Sequence, residues 1–412
     1  MRLYAFGLKH EDTDRPSPQF SALEPVLQAH SIRVLWAAWC DAVIAYRDGA
    51  GHGDGGGLWV LLYTGTGLTA AQKECLTGDG DLKRVGGLGK AVFFGSVMHD
   101  GLRGYVVKSG DADAEGADQK IVLFGTDLEM EDSVPEVQIF SLSETTSIIT
   151  DVKIDSEGCV LLYTKSRSTI EESVVRFADF RQFRRYLSSG LAPISPEVTC
   201  LPYESHDPPQ CVINATTTTA IDDSMHVWTS TRDPRYSRCL GRSYDGGSDI
   251  APLPYLSESY VTKIASGGYM SAAVSSDGEL FLWGQACPGL KGELDVLKGG
   301  AEADRPVTGI SVDGEQDEFV KCFDVRIDGQ EAMVYDVAIG HGHVLVAAEL
   351  CESGGETKRV LFAAGDNSRN QLGLEADTNF KETFEEVTSL RGKRIVQLAA
   401  AGWSSYVVSL EE

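Results

Sequence analysis

Residues 261–289, VTKIASGGYMSAAVSSDGELFLWGQACPG, restrict the fold more than any bulk property does. They hold three strand-length pieces, 261–265, 270–275 and 279–283, separated by Gly267-Gly268 and by Asp277-Gly278. Asp-Gly between apolar runs predicts a two-residue type I′ hairpin turn, because both central residues need positive φ, which Gly tolerates freely and Asp better than most. Gly284 closes the third piece where the chain must swing away. The unit is an antiparallel meander, apolar almost throughout and too small to bury its own faces. It requires neighbours of its own kind.

Such neighbours are visible along the chain. Residues 2–7 (RLYAFG) match only the third piece, whereas 32–49 (IRVLWAAWCDAVIAYRDG) repeat the first two. There a glycine-rich tongue, 49–57, replaces the short turn before 58–65 (LWVLLYTG). A fainter copy uses 91–95, 103–108 and 120–125, with an acidic loop at 111–118; another places 148–154 and 159–164 around Ser156-Glu157-Gly158, without a clear first strand. The copy at 210–229 carries Trp228 where the first unit has Trp283. Residues 334–365 repeat the pattern with Gly340-His341-Gly342-His343 at the first break, and 394–410 (RIVQLAAAGWSSYVVSL) supply two strands and no third. An orphan third strand at the start and a missing one at the end complete each other. If 3–7 pairs beside 405–410, seven units close into a ring, which removes free sheet edges. The expectation is an all-β, seven-bladed β-propeller, a single domain over 1–412, closed by the N-terminal strand; a six-bladed ring with one irregular insertion is the alternative.

Two stretches, 166–209 and 290–331, depart from the repeat and read as insertions. In the first, Phe177, Phe180, Phe183 and Tyr186 recur every three residues among Arg176, Arg181, Arg184 and Arg185. This is the pattern of a short amphipathic helix, packed on the body or presenting arginines to a partner; periodicity does not separate the two. The second has eleven acidic residues against five basic ones and interrupted apolar runs, which predicts a long surface excursion. Interfaces rely on aromatic and Arg anchors more than on charge. The partner-binding candidates are therefore Arg176, Phe180, Arg181, Phe183, Arg184 and Arg185, followed by Glu315, Asp317 and Glu318.

Composition narrows the function. Sixty-one acidic against 36 basic residues give a formal charge of −25, which disfavours direct nucleic-acid binding and favours protein partners, including basic ones. The nine cysteines stand singly, without a C-x-x-C pair, as expected for reduced thiols rather than for a zinc module or a disulfide framework. No apolar run approaches the ~18 residues of a membrane span and no signal-peptide pattern opens the chain, so a cytoplasmic or nuclear protein is expected, monomeric by itself. His341 and His343 are the one histidine pair, but no carboxylate accompanies them and a structural role is expected. The Gly-rich stretches 49–57 and 86–89 lack the Gly-Lys-Ser/Thr of a phosphate cradle, and there is no nucleophile elbow. No catalytic residue, cofactor or metal is expected.

The succession of apolar strand, Gly-x-x-His/Tyr, apolar strand, Asp-Gly, apolar-Trp-Gly and Asn-x-x-x-Gln-Leu-Gly resembles the regulator of chromosome condensation repeat. The strongest matches are Ala265-Ser266-Gly267 with Asp277-Gly278 and Trp283-Gly284, Ala338-Ile339-Gly340 with His343, and Gly365-Asp366-Asn367 with Gln371-Leu372-Gly373. Resemblance is good over 260–289 and 334–410, recognisable over the first 130 residues and poor between. Residues 3–7 and 401–407 look most like a propeller-only member that partners a Jumonji-type oxygenase; the member that binds a small zinc protein in the Elongator and diphthamide pathways also opens on a Tyr-Ala-Phe-Gly strand. Either resemblance implies a non-catalytic adaptor. The family also implies an alternative, nucleotide exchange on a small GTPase, but the basic tail that accompanies it has no counterpart here. A cryptic enzyme with its site at one end of the ring is the second alternative.

Overall fold

The computed structural model describes residues 1–7, 24–39, 41–47, 58–83, 88, 91–96, 101–108, 118–125, 136–142, 147–167, 172–189, 197–202, 205–231, 233–244, 246, 250–290, 292–298, 308–312, 318–352, 355, 357–374 and 378–411. Among these, strands form seven antiparallel sheets, the blades of a seven-bladed β-propeller. The chain divides into two compact units, Met1–Gln28 with Ser205–Glu412, and Ala29–Glu204. No helix of the described residues is long and apolar enough to cross a membrane.

The larger unit holds four blades. The first repeat seen in the sequence forms Val261–Gly267, Met270–Ser275 and Leu280–Gly284. Its neighbour consists of Met333–Ile339, His343–Cys351, Thr357–Asp366 and Phe380–Glu386. Another is made of Ser205–Ile213, Thr217–Asp222, Val227–Thr231 and Ala251–Pro252. The fourth unites the two ends of the chain: Arg2–Gly7 pairs with Ser404–Ser409 in register Arg2 to Ser409 through Gly7 to Ser404, between Ile395–Ala401 with its hairpin and Leu27–Gln28. The orphan third strand and the incomplete meander are thus one blade. Within this unit neighbouring blades share cores; Val274, Leu282, Val337, Val346 and Phe362 belong to one, and Tyr4, Leu361, Leu398 and Val407 to another.

The smaller unit holds three blades. One has, among the described residues, Ser31–Ala37, Asp41–Arg47 and Val60–Gly65; the helices Ala70–Gly78 and Gly80–Lys83 follow its last strand. Thr69 caps the first helix in a capping box with Gln72, and Gln72 reaches on to the carbonyls of Gly125 and Glu136, so the helix bridges to the next blade. That blade is Val92–Ser96, Gly101–Lys108, Gln119–Phe124 and Val137–Leu142. The last is Ser147–Ile154, Val160–Ser166, Glu172–Phe177 and Glu197–Cys200.

Three expectations are corrected by this arrangement. The Asp277-Gly278 turn is not type I′: Gly278 N–H donates to the Ser275 carbonyl (3.1 Å), Ser275 N–H to the Glu279 carbonyl (3.1 Å), and Gly278 alone has positive φ (+81°). This is a type I turn followed by a left-handed residue, a three-residue hairpin loop in which Asp277 needs no strain. Part of the first departing stretch is ordinary repeat, because Glu172–Phe177 is a third strand and Ser147–Ile154 the first strand that was not evident. Its register shift between Ile149 and Asp151 recurs at Val261/Lys263, Val334/Asp336 and Ile395/Gln397, all in first strands. The acidic stretch 290–331 is likewise more than an excursion. Val320–Ile327 pairs with Leu280–Gly284 as the outer strand, Gly309–Val312 extends the sheet, and Leu294, Leu297, Phe323 and Val325 enter the core.

Gly284 shows why the third strand must end in glycine. Its φ is +116°, and a Cβ there would collide with the Tyr269 carbonyl oxygen.

Candidate protein-binding surface

The helix Phe180–Ser188 begins at Asp179, whose carboxylate accepts from Gln182 N–H (2.8 Å). Its apolar spacing buries Phe180, Phe183 and Leu187, and Phe183 meets the rings of Phe94, Phe177 and Phe180. Phe180 (5% exposed) and Phe183 (0%) are therefore core and not partner anchors, a correction that follows from the threefold spacing meeting a helical period. Arg184 lies over the Phe180 ring with Cζ 5.6 Å from its centroid, and Arg103 at 4.0 Å. Arg176 is held in place by Asp155 (3.3 Å), Glu157 (3.6 Å) and the Cys159 thiol (2.9 Å). Those three side chains have metal-ligand types with their donor atoms within 4.8 Å of one another, but the guanidinium already supplies the positive charge they share. Arg181 and Arg185, one turn apart, are exposed and carry no ion pair among the described residues. Glu318 is exposed just before the Val320–Ile327 strand; Glu315 and Asp317 lie outside the described residues, as do the tongue 49–57 and most of 86–89.

Of the two histidines, His343 stitches blades together. His343 is fully buried and its Nε2 lies 2.9 Å from Ser405 Oγ in the adjacent blade, while burial, reinforced by neighbouring His341, pulls its pKa down to about 3. Asn214 makes a related stitch, its amide donating to Ser271 Oγ (3.2 Å) in the next blade. Such side chains lock successive blades of the larger unit at one end.

At that same end the turns between first and second strands stand in a row, and here the structure assembles what the sequence reading did not single out. Gly268-Tyr269, His341-Gly342 and Gly402-Trp403 occupy one position in three blades. The turns are tied to one another or to a neighbour by backbone bonds, Ala215 N–H to the Gly268 carbonyl and His341 N–H to the Gly402 carbonyl, each 2.8 Å. Tyr269 packs edge-on against Tyr236 (centroids 5.0 Å), which lies under exposed Arg235. Trp403, half-buried, lies under exposed Arg369 with Cζ 5.3 Å from its centroid. Aromatic faces paired with arginines on rigid turns are the composition of interface hot spots. The available signal was positional: Tyr269 and Trp403 fill the same slot of the repeat, which reads as architecture until side-chain exposure is known.

No protein-family model matches the chain. Among solved structures, it is similar to Prp20p from Saccharomyces cerevisiae, studied with its binding to Gsp1p and histones, at 12% identity over 100% of this chain and 92% of that one, with a TM-score of 0.55. Yeast RCC1 (Prp20) bound to Kap60 gives 12% identity, 100% and 89% coverage and a TM-score of 0.56. At this identity the likeness establishes the fold, a propeller of the kind Prp20 adopts.

Proposed function

We propose that the protein is a non-catalytic binding module, an adaptor or regulatory subunit whose larger unit docks a partner protein on the row of turns around Tyr269, His341 and Trp403. The observation that carries the reading is that exposed Arg369 covers Trp403 on a turn fixed by an inter-blade hydrogen bond, and that Tyr269 on the equivalent turn packs against Tyr236, which lies under exposed Arg235. Anchors held this way lose little conformational entropy on binding. The propellers of like fold support the class, since Prp20p binds Gsp1p and histones, and Kap60 is bound to yeast RCC1. The partner falls in one of the two classes that the repeat resemblance implies, an oxygenase of the Jumonji type or a small zinc protein of tRNA modification and diphthamide synthesis.

The test is affinity capture of tagged protein from its own cells at low salt, with Trp403→Ala and Arg369→Ala alongside. Each replacement is expected to reduce a stoichiometric partner about tenfold or more, the loss of a hot spot of ~2 kcal/mol. Absence of any stoichiometric partner, or capture indifferent to both changes, removes the support for this surface. Accelerated nucleotide release from a captured small GTPase would replace the adaptor reading by exchange activity.

A further inference from the structure

In the smaller unit, Arg33 and Arg47 both lie over the indole of Trp59, with Cζ 5.5 and 4.5 Å from its centroid. Register explains the convergence. Ser31 is opposite Arg47, Arg33 opposite Ala45, and Ala45 opposite Leu61, so Arg33, Ala45, Arg47, Leu61 and Trp59 share one sheet face. Ala45 is small enough for Arg33 to cross towards the ring. Trp59 itself is buried (5% exposed) in the core with Leu61, Leu76 and Leu82, which fixes the platform the guanidiniums rest on.

Two cations converge on one ring here without a counter-charge among the described residues. Elsewhere in the unit Lys120 pairs with Asp79 and Asp81, Lys153 with Asp151, and Arg176 with Asp155 and Glu157. Among the described residues, neither Arg33 nor Arg47 has an ion pair. Arg47 makes one long bond, Nη2 to Ser31 Oγ at 3.4 Å, and its buried Nε has no acceptor. Two like charges on one ring make a local cationic spot in a chain with 61 acidic residues and 36 basic ones.

We propose that this face binds a carboxylate-rich segment of a partner protein. A guanidinium stacked on an indole keeps its N–H edge open, and that edge matches a carboxylate in the plane of the fork. Arg47 takes one carboxylate on its terminal N–H groups, and Arg33 takes a second. An extended polyanion such as nucleic acid would meet the field of a −25 chain, whereas a short acidic segment touches only the local cationic spot. The surface lies in the other unit from the Tyr269–Trp403 row and is independent of the function proposed there.

The test uses the full chain and a fluorescein-labelled octapeptide alternating Glu and Ser, followed by anisotropy at low salt. Arg33→Gln and Arg47→Gln are each expected to weaken binding about fivefold, and salt at about 0.5 M to abolish it. Arg47→Lys keeps the charge without the fork and should recover less than half of the lost affinity; Arg167→Gln, exposed elsewhere on the same unit, should leave it unchanged. Near-ultraviolet circular dichroism checks folding, and if Arg47→Gln does not fold, the exposed Arg33 decides. Unchanged affinity in folded Arg33→Gln overturns the proposal. So does tighter binding of a single-stranded oligonucleotide of equal charge, or complete displacement of the peptide by millimolar inorganic phosphate.

Discussion

Replacing Leu3 by Ala probes the blade built from both ends of the chain. Leu3 is 1% exposed, stands opposite Val408, and its carbonyl accepts from Val26 N–H at 2.8 Å. Truncation removes three buried carbons, which at about 0.8 kcal/mol each is about 2.4 kcal/mol of transfer free energy. The cavity left behind raises the expected cost to about 3 kcal/mol, within the ~2–5 typical of Leu→Ala in a core. Ala5, in the same strand but exposed, gives the control, and Ala5→Ser should cost less than about 0.5 kcal/mol. Urea unfolding followed by tryptophan fluorescence reads the difference, and with a slope of about 3 kcal/mol per molar the Leu3→Ala midpoint falls by about 1 M. If the two variants unfold together, the N-terminal strand does not share in the cooperative core and the reasoning about blade closure fails.

Phe183→Ala should cost about 3–5 kcal/mol because the ring is fully buried among three others, whereas Arg181→Ala and Arg185→Ala should stay within about 0.5 kcal/mol; thermal melts that reverse this order would contradict the assignment of that ring to the core. His343 gives stability a pH dependence with a definite sign. Its folded pKa, pulled to about 3 by burial, lies below the ordinary value of about 6.5, so the unfolded chain takes up the proton first; its contribution is complete above pH ~6.5 and is lost as pH falls towards 3, at up to about 1.4 kcal/mol per pH unit. His343→Gln should flatten that decline in denaturant titrations between these limits, and equal slopes would contradict the buried neutral imidazole. Gly284→Ala combines positive φ with a collision against the Tyr269 carbonyl and should cost about 2 kcal/mol or more, while Gly78→Ala, with open space around it, should be nearly neutral by the same melts.

How much of this was legible depended on whether the information was local. The meander of 261–284 repeats because each blade must present two apolar faces to its neighbours, so strand spacing and glycine positions recur and reveal one another. The match between residues 2–7 and the missing strand after 394–410 was readable for the same reason. Less readable were elements whose identity rests on partners. Glu172–Phe177, ESVVRF, alternates too weakly to stand out as a strand until Val160–Ser166 lies beside it. Val320–Ile327 is interrupted by charges because its outward face meets solvent and neighbouring ion pairs such as Arg326 with Asp324. The Asp-Gly turn suits two loop lengths equally, and only the register of the flanking strands selects one.

The candidate surfaces divide in the same way. Phe180 and Phe183 looked like anchors because aromatic and arginine residues alternate along the segment, yet a helix turns those aromatics to one side, and that side is the core. Trp403 and Arg369, 34 positions apart in sequence, meet only because neighbouring blades bring their turns together. Arg33, Arg47 and Trp59 meet across three strands whose register no local pattern announces. By itself, the sequence determined the kind of blade and the closure through the two termini, since these follow from a periodic demand to bury apolar faces, while the choice of seven blades over six came from the seven sheets of the structure. Which arginines are answered by carboxylates and which stand over aromatic rings was decided by tertiary packing, because charge and π contacts are set by distances between strands and not by spacing along the chain.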